Sequence, residues 1–138
     1  MSHEQDTFGL DIFKVHCWLE DRGFYLLLGR DGGDAVDVES KIVSINSSRS
    51  EEMQLHILLH ECGHILIHKN GDKMNCRQIY GEYTKRSKIY KVFTVIEEIE
   101  AWSRGLKLAE RLNIPINKDK WNRDVSRAIW SYMDWATS

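Results

Sequence analysis

The feature that most restricts this chain is His60-Glu61-Cys62-Gly63-His64, set inside an apolar stretch from Leu55 to His68. Leu55, Leu58, Leu59, Cys62, Ile65 and Leu66 recur at helical spacing. Upstream, Ser47-Ser-Arg-Ser50 offers hydroxyl caps, and Glu51 and Glu52 follow in the first turn, where the helix dipole favours negative charge. Lys69-Asn-Gly-Asp72 ends the helix near His68. One apolar helix thus carries two imidazoles and a carboxylate, groups that are costly to bury unless something satisfies them.

Residues four apart on a helix share a face, so His60 and His64 can bind one zinc ion. Glu61 projects about 100° from His60, beside the metal rather than onto it, where it can take a proton from bound water. Gly63 lies about 300° round, on the ligand side, where a missing side chain lets another segment approach. Cys62 falls about 200° from His60 and reads as core filler. His56 and His68 lie one turn to either side, roughly 6 Å along the axis, too far to join the same ion easily; both read as supporting or surface groups.

A catalytic zinc takes three protein ligands and keeps a position for water. The third is expected from Glu97-Glu98-Ile99-Glu100 on a second long helix, about Val92 to Leu112, which Asn113-Ile-Pro115 stops. Ala101, Gly105 and Ala109 form a small-residue stripe that continues back to Glu98, so Glu98 is the first choice. Glu97 shares a side with Ala101 and Arg104 and is second; Glu100 is third. The competing reading of all three is a solvated charge run.

The remaining pattern indicates an α+β chain. Phe8, Ile12, Val15 and Leu19 predict an amphipathic helix over Asp6 to Arg22, with Gly23 as its stop. Phe24 to Gly29 reads as a buried strand, and Arg30-Asp-Gly-Gly-Asp34 as the turn of a hairpin into Ala35 to Val38. A third strand is expected at Lys41 to Asn46, with Val43 and Ile45 on one face. A last helix from near Asn117 presents Trp121, Val125, Ala128, Ile129, Tyr132 and Trp135 at core spacing. Lys73 to Lys91 reads as a long loop. Its Tyr80, Tyr83 and Tyr90 flank the metal helices and read as surface aromatics, though one could donate to a developing oxyanion, and the basic residues over Lys69 to Lys91 suit a solvated lid better than a contact with nucleic acid or an acidic partner.

Length, charge and cysteines narrow the class. At 138 residues, residues 1–138 fit one domain able to bury a core without covalent staples. Net charge is −2, which argues against a general polyanion binder, so nucleic acid is not the expected partner. No signal-peptide core or membrane-length apolar run is present, and the expected location is cytoplasmic. Cys17, Cys62 and Cys76 are odd in number and scattered, and read as reduced thiols.

The sequence resembles the ImmA/IrrE-type metallopeptidases, close to the minimal gluzincins, over about Phe24 to Pro115. The likeness rests on Ile42-Val-Ser-Ile-Asn-Ser47, on Leu58-Leu-His-Glu-Cys-Gly-His-Ile-Leu-Ile-His68 and on Glu98-Ile-Glu-Ala101. The resemblance implies a small α+β zincin-like domain with a three-helix frame and a short sheet, zinc on His60, His64 and Glu98, and Glu61 as general base. It also implies a protein substrate, a transcriptional regulator of a bacterium, phage or mobile element. Two departures stand out: a longer helix after Glu98, and Trp102 where the gluzincin pattern often has Asp, so a carboxylate that orients a ligand histidine has to come from elsewhere. No helix-turn-helix is evident. The expected activity is peptide hydrolysis, with the substrate extended along a sheet edge near Lys41 to Asn46. The alternative is a zinc-binding regulatory or protein-interaction module with little turnover.

Overall fold

The computed structural model describes residues 2–30, 33–69 and 88–138. Helix α1 (Ser2–Glu20) begins earlier than its apolar pattern and stops where Gly23 predicts. Gly23 takes φ 79°; its N–H donates to the Glu20 carbonyl at 2.9 Å, and the Phe24 N–H donates to the Leu19 carbonyl at 3.0 Å. This is the Schellman closure that a left-handed residue permits. Val15 and Leu19 are fully buried, with Phe8 and Ile12 packed at the margin of the core.

Strands β1 (Tyr25–Gly29), β2 (Ala35–Asp37) and β3 (Ile42–Asn46) form one sheet in the order β1-β3-β2. Strand β3 runs parallel to β1, with Leu27 opposite Ser44, and antiparallel to β2, with Val36 opposite Val43. Three expectations are corrected by this topology. Strands β1 and β2 are not hairpin partners. The tight reversal lies one connection later, where Asp37 Oδ1 accepts from the N–H groups of Glu39 (3.1 Å) and Ser40 (3.2 Å) and Lys41 takes φ 57°. Nor is β1 a buried strand: as an edge strand it leaves Tyr25, Leu27 and Leu28 exposed. Finally, Ile42 to Ser44 offer no free edge to a substrate, because there β3 is central and pairs on both sides, while Ile45 and Asn46 pair with β1 alone. Val43 and Ile45 do share a face, and both are buried toward α2.

Helix α2 (Glu51–Lys69) starts at its serine cap, Ser50 Oγ accepting from the Met53 N–H at 3.2 Å. It is the central element, in contact with α1, β2, β3 and both later helices. Helix α3 (Lys88–Arg111) starts inside the stretch expected to be loop, so Lys88 to Lys91 are helical. Tyr80, Tyr83, Cys76 and most of the basic run lie outside the described residues. Asn113, at φ 57°, closes α3 as Gly23 closes α1, with the Ile114 N–H donating to the Ala109 carbonyl at 2.9 Å.

Helix α4 (Lys118–Thr137) is capped by Asn117, whose side chain accepts from the Lys120 N–H at 3.1 Å. Its expected apolar face is only partly buried: Trp121 enters the core, Val125, Ala128 and Ile129 lie at its margin, and Trp135 stays 37% exposed. Among the described residues no helix is long and apolar enough to cross a membrane.

Helices α2 and α3 approach each other closely. A Cβ built on Gly63 would lie 1.9 Å from the Ala101 carbonyl oxygen, and one on Gly105 would lie 2.5 Å from that of Leu59. The two helices therefore touch backbone to backbone, as the Ala101, Gly105, Ala109 stripe predicts. Glu97 and Glu98, one turn before Ala101, are thereby brought against the motif histidines.

Candidate metal centre

His60 and His64 project from α2 toward α3, and their rings lie 4.8 Å apart. Glu98 meets both. His60 Nε2 is 2.9 Å from Glu98 Oε1, and His64 Nε2 is 2.8 Å from Glu98 Oε2. Donor atoms of His60, Glu61 and His64 lie within 4.8 Å of one another, and Glu61 Oε1 is 3.7 Å from His60 Nδ1. Glu61, His64 and Glu98 are buried, yet all line a cleft of about 860 Å³. One wall of that cleft is Ala35 and Val36 of β2; the opposite wall is Arg127, Ala128 and Tyr132 of α4.

The three glutamates separate cleanly. Glu98 holds the ligand-like position. Glu97, one residue earlier and 1% exposed, reaches the far side of the same imidazole, its Oε2 accepting from His64 Nδ1 at 3.1 Å. Glu100 points away and pairs with Arg104 at 3.0 Å. The carboxylate that Trp102 cannot supply to a histidine is thus supplied by Glu97, and Trp102 instead stacks on the His60 ring at 4.3 Å with an interplanar angle of 14°.

Burial and charge set the proton affinities. Burial disfavours the His64 cation, but hydrogen bonds to Glu97 and Glu98, with the Glu98 and Glu61 charges, outweigh it and raise the imidazole to about 10. Burial likewise pushes Glu98 up, but its bonds to His60 and His64 and their charge dominate and hold it down at about 2. Glu61 is raised above the usual carboxylate range, because burial outweighs the attraction of the two imidazoles. The Cys62 thiol, fully buried on the other side of α2, is pushed up by desolvation and is inert core, as expected.

Two imidazole nitrogens and a carboxylate gathered at a cleft floor are the donor set of a zinc site with an open position, and the residues fit such an ion. The His64 Nδ1–H bond to Glu97 is consistent with this, because it leaves Nε2 as the nitrogen that would face a metal. His68 is more distant, its Nε2 lying 3.8 Å from Glu97 Oε2. Tyr90 lines the cleft, from α3 rather than from a loop.

His56 takes the supporting rather than the surface role, through Asp124, a residue that sequence reasoning missed. His56 Nδ1 lies 2.8 Å from Asp124 Oδ2 with both side chains buried. The available signal was a carboxylate on the apolar stripe of α4, between Trp121 and Ala128 at helical spacing.

A short mixed sheet, an HExxH helix and a facing glutamate-bearing helix define a small α+β protein of HExxH layout. Residues 24–90, a stretch that carries the sheet and the whole motif helix, match the IrrE N-terminal-like domain family (Peptidase_M78), so the chain is similar to the ImmA/IrrE type there. The match supports a metallopeptidase-like function and ends before Glu98, whose place rests on the geometry. No curated protein and no solved structure matches the chain significantly.

Proposed function

We propose that the chain is a zinc-dependent metallopeptidase, with His60, His64 and Glu98 as ligands and Glu61 as general base. The observation that carries this reading is that one carboxylate, from a second helix, meets the Nε2 atoms of both motif histidines while Glu61 lies beside them at the cleft floor. Bound zinc would supply Lewis acidity to the scissile carbonyl and to the attacking water.

The protein's own side chains do the rest. Glu97 fixes the His64 tautomer and ring. Glu61 takes the proton of the attacking water and delivers it to the leaving amine; its burial, which disfavours the charged form, suits a base that has to hold that proton between the two transfers. The free edge beside the cleft is that of β2, so an extended peptide would pair with Ala35 to Asp37 rather than with β3. A regulatory protein substrate and a bacterial, phage or mobile-element context rest on the ImmA/IrrE likeness.

Cleavage of a mixed peptide library, read by mass spectrometry, tests the mechanism. Glu61→Gln is expected to keep stoichiometric zinc and lose at least about 100-fold in rate. Full activity in that variant would refute the base assignment. Zinc-loaded wild-type protein that cleaves nothing would favour a zinc-bearing regulatory module instead.

A further inference from the structure

Both nitrogens of His64 are engaged, Nδ1 by Glu97 and Nε2 by Glu98. His60 is held differently. Its Nε2 meets Glu98, but among the described residues no hydrogen bond reaches Nδ1, whose neighbour Glu61 Oε1 stands at 3.7 Å. A ring tied at one nitrogen can still swing about χ2, a broad torsion in histidine.

We propose that Trp102 is the positioning residue for His60, its flat indole face doing for that ligand what the Glu97 carboxylate does for His64. This rests on the metal-site reading above. The stack is close and nearly parallel, so it fixes the plane of the imidazole. Trp102 lies one turn after Glu98 on α3, so consecutive turns of one helix deliver the carboxylate and the plate. The plate is itself braced. Trp121 of α4 meets Trp102 edge-on at 5.2 Å and 80°, His56 of α2 meets Trp121 at 5.0 Å and 73°, and His56 is tied to Asp124. Contacts thus run from His60 through α3 and α4 and return to α2 one turn before they began.

The Trp102 indole N–H is buried without a hydrogen-bond partner among the described residues. Such a group is unfavourable, so leucine or phenylalanine would fill an ordinary core position better. The large face accounts for the indole: an imidazole coordinated through Nε2 is electron-poor, and indole is the best aromatic surface to set against it.

Zinc affinity, measured by competition with a chromophoric chelator, and the visible spectrum of the cobalt-substituted protein test this. The variants are Trp102→Phe, Trp102→Leu, Trp102→Met and, as a core control on the same helix, Leu108→Ala, a buried site that does not line the cleft. Loss of a group supporting a ligand lowers affinity about 10–100-fold. Trp102→Leu and Trp102→Met are expected to fall in that range and shift the cobalt bands, with either sufficing if the other fails to fold. Trp102→Phe should stay within about threefold of wild type, and Leu108→Ala should lower thermal stability while leaving affinity and spectrum unchanged. Wild-type affinity in the aliphatic variants would overturn the proposal. So would an equal loss in Leu108→Ala, or no rescue by phenylalanine. Wild-type protein that takes up no metal would overturn the site assignment and this proposal together, an outcome recognisable before any variant is made.

Discussion

Replacing Gly63 by alanine puts one methyl group into the close crossing of α2 and α3. The added Cβ would lie 1.9 Å from the Ala101 carbonyl oxygen and 2.7 Å from its carbonyl carbon, backbone atoms that cannot rotate aside. Restoring an ordinary contact of about 3.5 Å requires α2 and α3 to part by roughly 1.5 Å. Overpacking of this kind costs about 1–3 kcal/mol, offset by the roughly 1 kcal/mol that alanine gains over glycine inside a helix. With backbone against backbone the cost belongs at the upper end, which leaves about 1–2 kcal/mol of net destabilisation and a fall in Tm of about 4–8 °C. The same displacement withdraws Glu98, three residues before Ala101, from histidines it now meets at 2.9 and 2.8 Å. Zinc affinity is therefore expected to fall at least about tenfold. Thermal unfolding in excess chelator reads the first effect and a competition titration the second. Gly105→Ala opens the same crossing, so the double variant should lose less than the two single losses combined. A Gly63→Ala protein with wild-type Tm and wild-type affinity would refute the close-approach argument.

Two further outcomes follow from the site. Glu98→Ala is expected to abolish stoichiometric zinc, Glu97→Gln to weaken it about 10–100-fold, and Glu100→Ala to leave it unchanged; metal analysis after gel filtration distinguishes them. The second outcome concerns pH. In metal-free protein, the raised His64 contributes stability that is complete below its ordinary 6.5 and is lost as pH rises toward about 10, while the lowered Glu98 contributes stability that is complete above its ordinary 4.5 and is lost as pH falls toward about 2. Metal-free Tm should therefore decline on either side of roughly pH 4.5–6.5, whereas zinc affinity should rise about tenfold per pH unit on the alkaline side, because binding displaces the His64 proton. Calorimetry with and without zinc checks the opposed slopes, and parallel slopes would contradict the assignment.

The motif helix was legible because its information is local. The spacing of His60 and His64, the Ser50 cap and the first-turn glutamates all lie within one element. Glu98 was legible for a different reason: small residues mark where helices approach, and Ala101 and Gly105 pointed back to it. Sheet order was not legible. Turn chemistry after Gly29 signals a reversal but does not say which strand pairs, and the apolar run of β1 lies at an edge rather than in the interior.

On spacing alone Glu97 is a rival to Glu98, because position along α3 does not show that neighbouring carboxylates can reach opposite sides of one imidazole. In the sequence Trp102 marks only a missing carboxylate, since a stack between two helices leaves no periodicity of its own. His56 and Asp124 are 68 positions apart, and only the docking of α4 brings them together.

The most direct test of the metal site is the zinc-edge X-ray absorption spectrum of the loaded protein. One equivalent of zinc is expected in a shell of nitrogen and oxygen only, at about 2.0–2.2 Å, with the multiple scattering of two imidazoles. Failure to retain zinc, or a sulfur shell near about 2.3 Å that implicates the cysteines, would contradict ligation by His60, His64 and Glu98.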